Sequence, residues 1–198
     1  MTEPATNPED EIRDFLARDL AEGFNDPADI AESALDYFGD EIDAKIAGPI
    51  VERLLPELIR AQLAAQSSWP AVTDCDKLDA AFAELTNAGI VARQDVTCCG
   101  TCGVAEIGDE IDAEAARGIV PRGYTFFHQQ STEAAVEGCG LMLSYGAMEA
   151  GDAKAVAIGH EIVATLVRHG LPCDWNGTIE RCIGVPLVWQ RRLVLEAD

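Results

Sequence analysis

Residues 89–103 read GIVARQDVTCCGTCG, and this stretch decides the fold. A glycine precedes a short run rich in strand formers, residues 90–97, and a cysteine segment with two glycines then opens a helical pattern. Upstream of Gly89 the apolar repeats are helical; downstream, short strands alternate with helical stretches. That change of period, from 3.6 residues to two, predicts an α+β chain rather than a helical bundle.

Upstream, residues 8–66 read almost entirely as helix. Ile12, Phe15, Leu16 and Leu20 fall at helical spacing from Pro8, with Gly23 as the stop. Asp26 and Pro27 open a second helix carrying Ile30, Leu35 and Phe38 to Gly39. Gly48 and Pro49 punctuate before a third, with Ile50, Leu54, Leu55, Leu58, Ile59 and Leu63 inward and Pro56 as a kink. Ser67, Ser68 and Pro70 around Trp69 read as a connector, and Thr73 or Asp74 caps a fourth helix with Leu78, Phe82 and Leu85 on its apolar face.

Downstream, strands are predicted at residues 123–130, with Tyr124, Phe126 and His128 on one face, and at residues 141–145. A helix over residues 152–169 follows, then a hairpin of residues 172–175 and 179–185 about Asn176 and Gly177. A short helix fits between Thr132 and Gly138. The order strand, helix, strand, strand, helix, strand matches the split β-α-β unit of a ferredoxin-like antiparallel sheet, here extended by a C-terminal hairpin. One sheet face then needs a cover, and the amino-terminal helices are its candidates. The expected division is a helical region 1–66, a connector 67–73 and an α+β domain 74–198.

Thirty-five acidic residues stand against 14 basic ones, a net charge of −21 spread without a basic patch. Such a surface repels phosphate backbones and anionic lipid, which argues against nucleic acid and membrane partners and leaves a basic protein partner or a cation. Residues 1–11 lack the basic start and apolar run of a signal peptide. No apolar run approaches the roughly 20 residues that span a bilayer. The expected location is therefore cytoplasmic, where thiols stay reduced; seven cysteines, an odd number, agree.

Three of those cysteines, Cys98, Cys99 and Cys102, sit where the first strand gives way to a helix, and Cys99 with Cys102 forms a C-x-x-C. Backbone N–H groups and the helix dipole there favour thiolate, which is both nucleophile and metal ligand. One chemistry is thiol–disulfide exchange, with Cys99 attacking and Cys102 resolving, which resembles the thioredoxin turn in that one respect. The other is zinc, held by Cys98, Cys99 and Cys102 with His128 or Cys139 as fourth ligand. A second C-x-x-C or H-x-H pair is absent, and adjacent cysteines on a strand point to opposite faces, so a local turn is needed. The plain alternative is that all three are reduced core residues, with Cys75, Cys173 and Cys182 read as core or strand residues in the same way.

His128 heads the run His128, Gln129, Gln130, Ser131, Thr132, Glu133. The run reads either as a polar pocket, with Glu133 orienting the imidazole, or as a turn with Ser131 or Thr132 capping the next helix. His160 and Glu161 do not make H-E-x-x-H, because position 164 is Ala. Glu106, Asp109, Glu110, Asp112 and Glu114 lack calcium-loop spacing and read as a solvated helix face.

Several of these residues together, Trp69 and Pro70, Thr73, Asp74, Leu78, Asp79 and Phe82, Gly89 and Ile90, the cysteine segment, the His128–Glu133 run, and Trp175 with Gly177, resemble a bacterial domain-of-unknown-function family, DUF6891. The resemblance implies no activity; it directs attention to the cysteine segment and the His128 run as a shared local site. Three function classes follow. They are a binding or regulatory module with zinc, a thiol oxidoreductase using Cys99 and Cys102, and an acidic, inhibitor-like or immunity-like protein that masks a basic partner with purely structural cysteines.

Overall fold

The computed structural model describes residues 7–97 and 100–195, without the side chains of residues 100–105. Two compact units divide the chain: Met1–Pro70 with Gln190–Asp198, and Ala71–Trp189.

The first unit holds α1 (Pro8–Glu22), α2 (Pro27–Phe38) and α3 (Ala44–Gln66). Each start is capped by a short polar side chain that accepts from N–H groups the helix cannot satisfy itself: Asn7 from Glu9, Asp26 from Ala28 and Asp29, Asp43 from Lys45. Gly23, at φ 74°, closes α1 in the left-handed conformation that suits glycine. The third helix begins earlier than Gly48 and Pro49 suggested. Asp43 supplies a cap, and Pro49 forfeits only one backbone bond within the first two turns, so the chain runs helically through both. The core gathers Ile12, Leu16, Leu20, Ile30, Ala34, Phe38, Val51 and Leu54. Ala34 rather than Leu35 faces inward, because Ile30, Ala34 and Phe38 keep the four-residue spacing of one helix face. Leu193, from the returning segment, completes the cluster, and the Arg191 guanidinium lies 4.5 Å from the centre of the Phe24 ring.

The second unit runs α4 (Asp74–Asn87), β1 (Ile90–Arg93), α5 (Gly100–Ala116), β2 (Gly123–Phe126), α6 (Gln129–Val136), β3 (Leu141–Ala147), α7 (Asp152–Arg168) and β4 (Ile183–Val185). A reciprocal cap starts α4. Thr73 Oγ1 accepts from Asp76 N–H at 3.2 Å, and the Asp76 carboxylate accepts from Thr73 N–H at 2.7 Å. Gly89 turns the chain into β1 at φ 85°, and a Cβ there would stand 2.5 Å from the Val120 carbonyl oxygen, so backbone packing as well as conformation demands glycine.

The α+β class with amino-terminal helices stands, but the ferredoxin-like detail does not. The four strands lie in the order β1-β2-β3-β4, with β1 and β2 parallel and the other two pairings antiparallel. A split β-α-β unit would place a strand between β1 and β2. Here the long crossover through α5 brings β2 directly beside β1, with Ile90 opposite Gly123 and Arg93 opposite Phe126, and the sheet is mixed. The expected C-terminal hairpin reduces to one antiparallel bridge, Asp174 with Gly184, beside β4. One sheet face receives α7: a Cβ on Gly123 would meet the Ile158 side chain at 2.9 Å, and the Tyr145 ring lies against Gly159. The Arg93 side chain, on the other face, reaches α5.

Candidate functional site

The two strands that run parallel end side by side, and each hands over to a helix there. This is the edge at which α/β sheets bind ligands, since loops and helix starts converge outside the strand ends. Residues 94–97 leave β1 and residues 127–128 leave β2, and they continue to bond beyond the strands. Val96 N–H donates to the Phe127 carbonyl at 3.0 Å, and Gln129 N–H to the Thr97 carbonyl at 3.1 Å. The residue just before Cys98 is thus tied to the residue just after His128. Both strands are shorter than predicted: after β1 the backbone turns sharply, with Asp95 at φ 52° and Thr97 at φ 58°, and after β2 the helix α6 already starts at Gln129. Aspartate tolerates that region, but a β-branched threonine there is strained by about 1–3 kcal/mol, so the surrounding bonds must hold it.

One of those bonds is buried. Thr132, fully buried, donates from Oγ1 to the Asp95 carboxylate at 2.6 Å, joining the β1 exit to α6. The helix starts at Gln129 with His128 at the cap position, three or four residues earlier than a Ser131 or Thr132 cap requires. Those two hydroxyls are occupied otherwise. Thr132 serves Asp95, and Ser131 Oγ lies 3.5 Å from His128 Nε2. His128 Nδ1 is buried and, among the described residues, has no hydrogen-bond partner. A ring nitrogen removed from water without a partner is costly, which makes it a natural place for a ligand atom.

Arg93, at the end of β1, sets the other wall. Its Nε bonds Glu110 at 2.6 Å and its Nη2 bonds Glu114 at 2.5 Å; Arg117 adds a second bond to Glu114 at 2.9 Å. The Arg93 hydrogen bond holds the Glu114 carboxyl below its ordinary range, and the two carboxylates raise Arg93 against the opposing effect of burial. Glu114 is buried, so the acidic run after the cysteines is not wholly a solvated face: Glu110 and Glu114 pin α5 to β1. Nothing in the sequence marks Arg93 or Asp95 apart from ordinary strand residues, and Thr132 is visible there only as a candidate helix cap.

Of the four residues singled out as ligands, Cys98 and Cys99 lie outside the described residues, as does the side chain of Cys102, whose backbone sits in the first turn of α5. Gly100 opens that helix directly after Cys99. No group of three or more metal-ligating side chains occurs among the described residues. Cys139 is the alternative to His128 as fourth ligand. It follows the far end of the eight-residue α6, about 12 Å away by helical rise. Cys75 is buried and Cys173 half-buried, whereas Cys182, directly before β4, is exposed. Burial pushes the Cys173 thiol up to about 11.

The sequence model of a family described as Domain of unknown function (DUF6891) matches residues 5–193. The chain belongs to that family. Neither a curated protein nor a solved structure matches it. The matched region takes in both the β1 exit and the His128 run, so the geometry above lies wholly inside the DUF6891 domain. No described helix is long and apolar enough to cross a membrane.

Proposed function

We propose that this DUF6891 domain is a binding or regulatory module whose local site holds zinc through Cys98, Cys99 and Cys102 together with His128. The observation that carries the reading is the buried Nδ1 of His128, which has no hydrogen-bond partner among the described residues, set beside the backbone bond from Gln129 to Thr97, the residue next to Cys98. Zinc accepts three thiolates and one imidazole nitrogen in a tetrahedron. Ser131 Oγ, on the far side of the ring at Nε2, would orient the imidazole as such ligands require. Four protein ligands leave no position for a reacting water, so the zinc would hold or switch the β1 exit rather than perform hydrolysis. Reduced thiols at this site suit a cytoplasmic location.

The full chain purified without chelator should carry about one zinc per molecule. Cys102→Ala and His128→Ala should lose it, and Cys139→Ala should keep it. A metal-free chain whose thiols titrate near 8.5 overturns the reading. A metal-free chain whose dithiol titrates below about 7.5 and reduces a model disulfide replaces it with thiol oxidoreductase chemistry at Cys99 and Cys102, for which the start of α5 directly after Cys99 is the supporting feature.

A further inference from the structure

We propose that the cleft between α1 and α2 takes a cationic side chain, an arginine or lysine, presented by a basic partner protein. Three rings form one wall. Phe15, Tyr37 and Phe38 contact one another with centroid separations of 5.2, 5.7 and 5.0 Å, and the Tyr37 and Phe38 planes are nearly perpendicular. Three carboxylates, those of Glu11, Asp14 and Glu41, and the Arg18 side chain complete the lining of a cleft of about 330 Å³, so the acids outnumber the one cation there. Tyr37 is 69% exposed, so an aromatic face stands open to solvent beside the acids.

The combination selects a cation. An aromatic face carries negative charge density and attracts a guanidinium or ammonium, and carboxylates at the rim add charge pairing that an apolar or anionic occupant would not use. The cleft already holds one such contact, since the Arg18 guanidinium lies 5.6 Å from the centre of the Phe15 ring. The charge around the cleft is one-sided: between Asn7 and Asp43 thirteen acidic residues stand against two arginines. Such a field speeds the approach of a basic protein, and the cleft gives that approach a place to end. Its volume is at the low end of ligand sites, which suits one side chain rather than a cofactor.

The test uses the full chain and fluorescein-labelled peptides of alternating Arg-Gly, Lys-Gly and Gln-Gly, followed by anisotropy at two salt concentrations. The basic peptides should bind and weaken with salt. Tyr37→Ala should weaken binding by about five-fold, the scale of one exposed cation–ring contact, and Tyr37→Phe should restore it. Glu41→Gln should weaken binding as well, whereas Glu180→Gln, an exposed acid of the other unit, should not. Both substituted cleft positions are exposed, and unchanged thermal melts would show that the fold is intact. Wild-type binding by Tyr37→Ala overturns the proposal, as does equal weakening by Glu180→Gln, which would mean diffuse charge attraction. Equal binding of the Gln-Gly peptide overturns it too, and so does self-association that Tyr37→Ala abolishes, which would assign the cleft to a second copy.

Discussion

Removing the Thr132 hydroxyl tests how the candidate site is held together. Thr132→Val keeps the shape of a fully buried side chain while deleting its 2.6 Å bond to the Asp95 carboxylate. A hydrogen bond to a charged group is worth about 1.5–3 kcal/mol, so the expected loss is about 2 kcal/mol. With a urea slope of about 2 kcal/mol per molar, the unfolding midpoint should fall by about 1 M. Two of the three tryptophans, Trp175 and Trp189, lie in the second unit and report the transition by fluorescence. The decisive arm is the Asp95→Gly background. Glycine relieves the positive φ of 52° but leaves the buried Thr132 hydroxyl without its acceptor, so there Thr132→Val should cost nothing or stabilise. The two substitutions should therefore couple by more than about 1 kcal/mol. Equal cost of Thr132→Val in both backgrounds would refute the claim that this bond holds the β1 exit.

Gly89→Ala should destabilise the second unit by about 2 kcal/mol or more in the same urea assay, since the new Cβ meets a carbonyl at 2.5 Å and φ is 85°. Gly159→Ala sets a helix gain of about 1 kcal/mol against an overpacking cost of about 1–3, because the Cβ would come within 2.7 Å of the Trp175 ring; the net should be a loss, with a shifted tryptophan emission. The carboxyls of Glu84 and Glu161 are held below their ordinary value of 4.5, the first by hydrogen bonds from His169 and Arg168 and the second by one from Arg122. A depressed carboxyl adds stability that is complete above that ordinary value and drains as pH falls through the folded one. Glu84→Gln and Glu161→Gln should accordingly flatten the acid limb of the midpoint-versus-pH curve. Cys173, raised from 9.0 to about 11, should hold about a hundredth of the thiolate of an unperturbed thiol near pH 8 and react with iodoacetamide correspondingly slowly. Its ionisation also erodes stability as pH rises from about 9, since the unfolded thiol loses its proton first.

Local chemistry was legible in the sequence and distant pairing was not. Asp26 with Pro27, Thr73, Gly23 and Gly89 mark helix ends because capping and left-handed turns act within four residues. The start of α3 misled because the Asp43 cap starts the helix ahead of the proline, which removes only one of its backbone bonds, and the length of β1 misled because Gln94–Thr97 has strand-like composition but bends at Asp95 and Thr97. Strand order depends on what lies beside β1 after a crossover of nearly thirty residues, and no periodicity carries that information. At the candidate site the His128 run was visible as a polar cluster, whereas its link to the β1 exit was not. Thr132 and Asp95 are 37 positions apart, and each is an ordinary residue where it stands.

The returning segment also bears on the order of synthesis. Leu193 belongs to the core of the three amino-terminal helices, and Arg191 packs on Phe24. These residues leave the ribosome only after all of Ala71–Trp189 has been made. During translation the helical unit must therefore wait with part of its apolar surface uncovered while the entire second unit emerges. Of the two units the one begun earlier is the one sealed later, and a chain stalled near residue 189 would present that open core to chaperones and proteases.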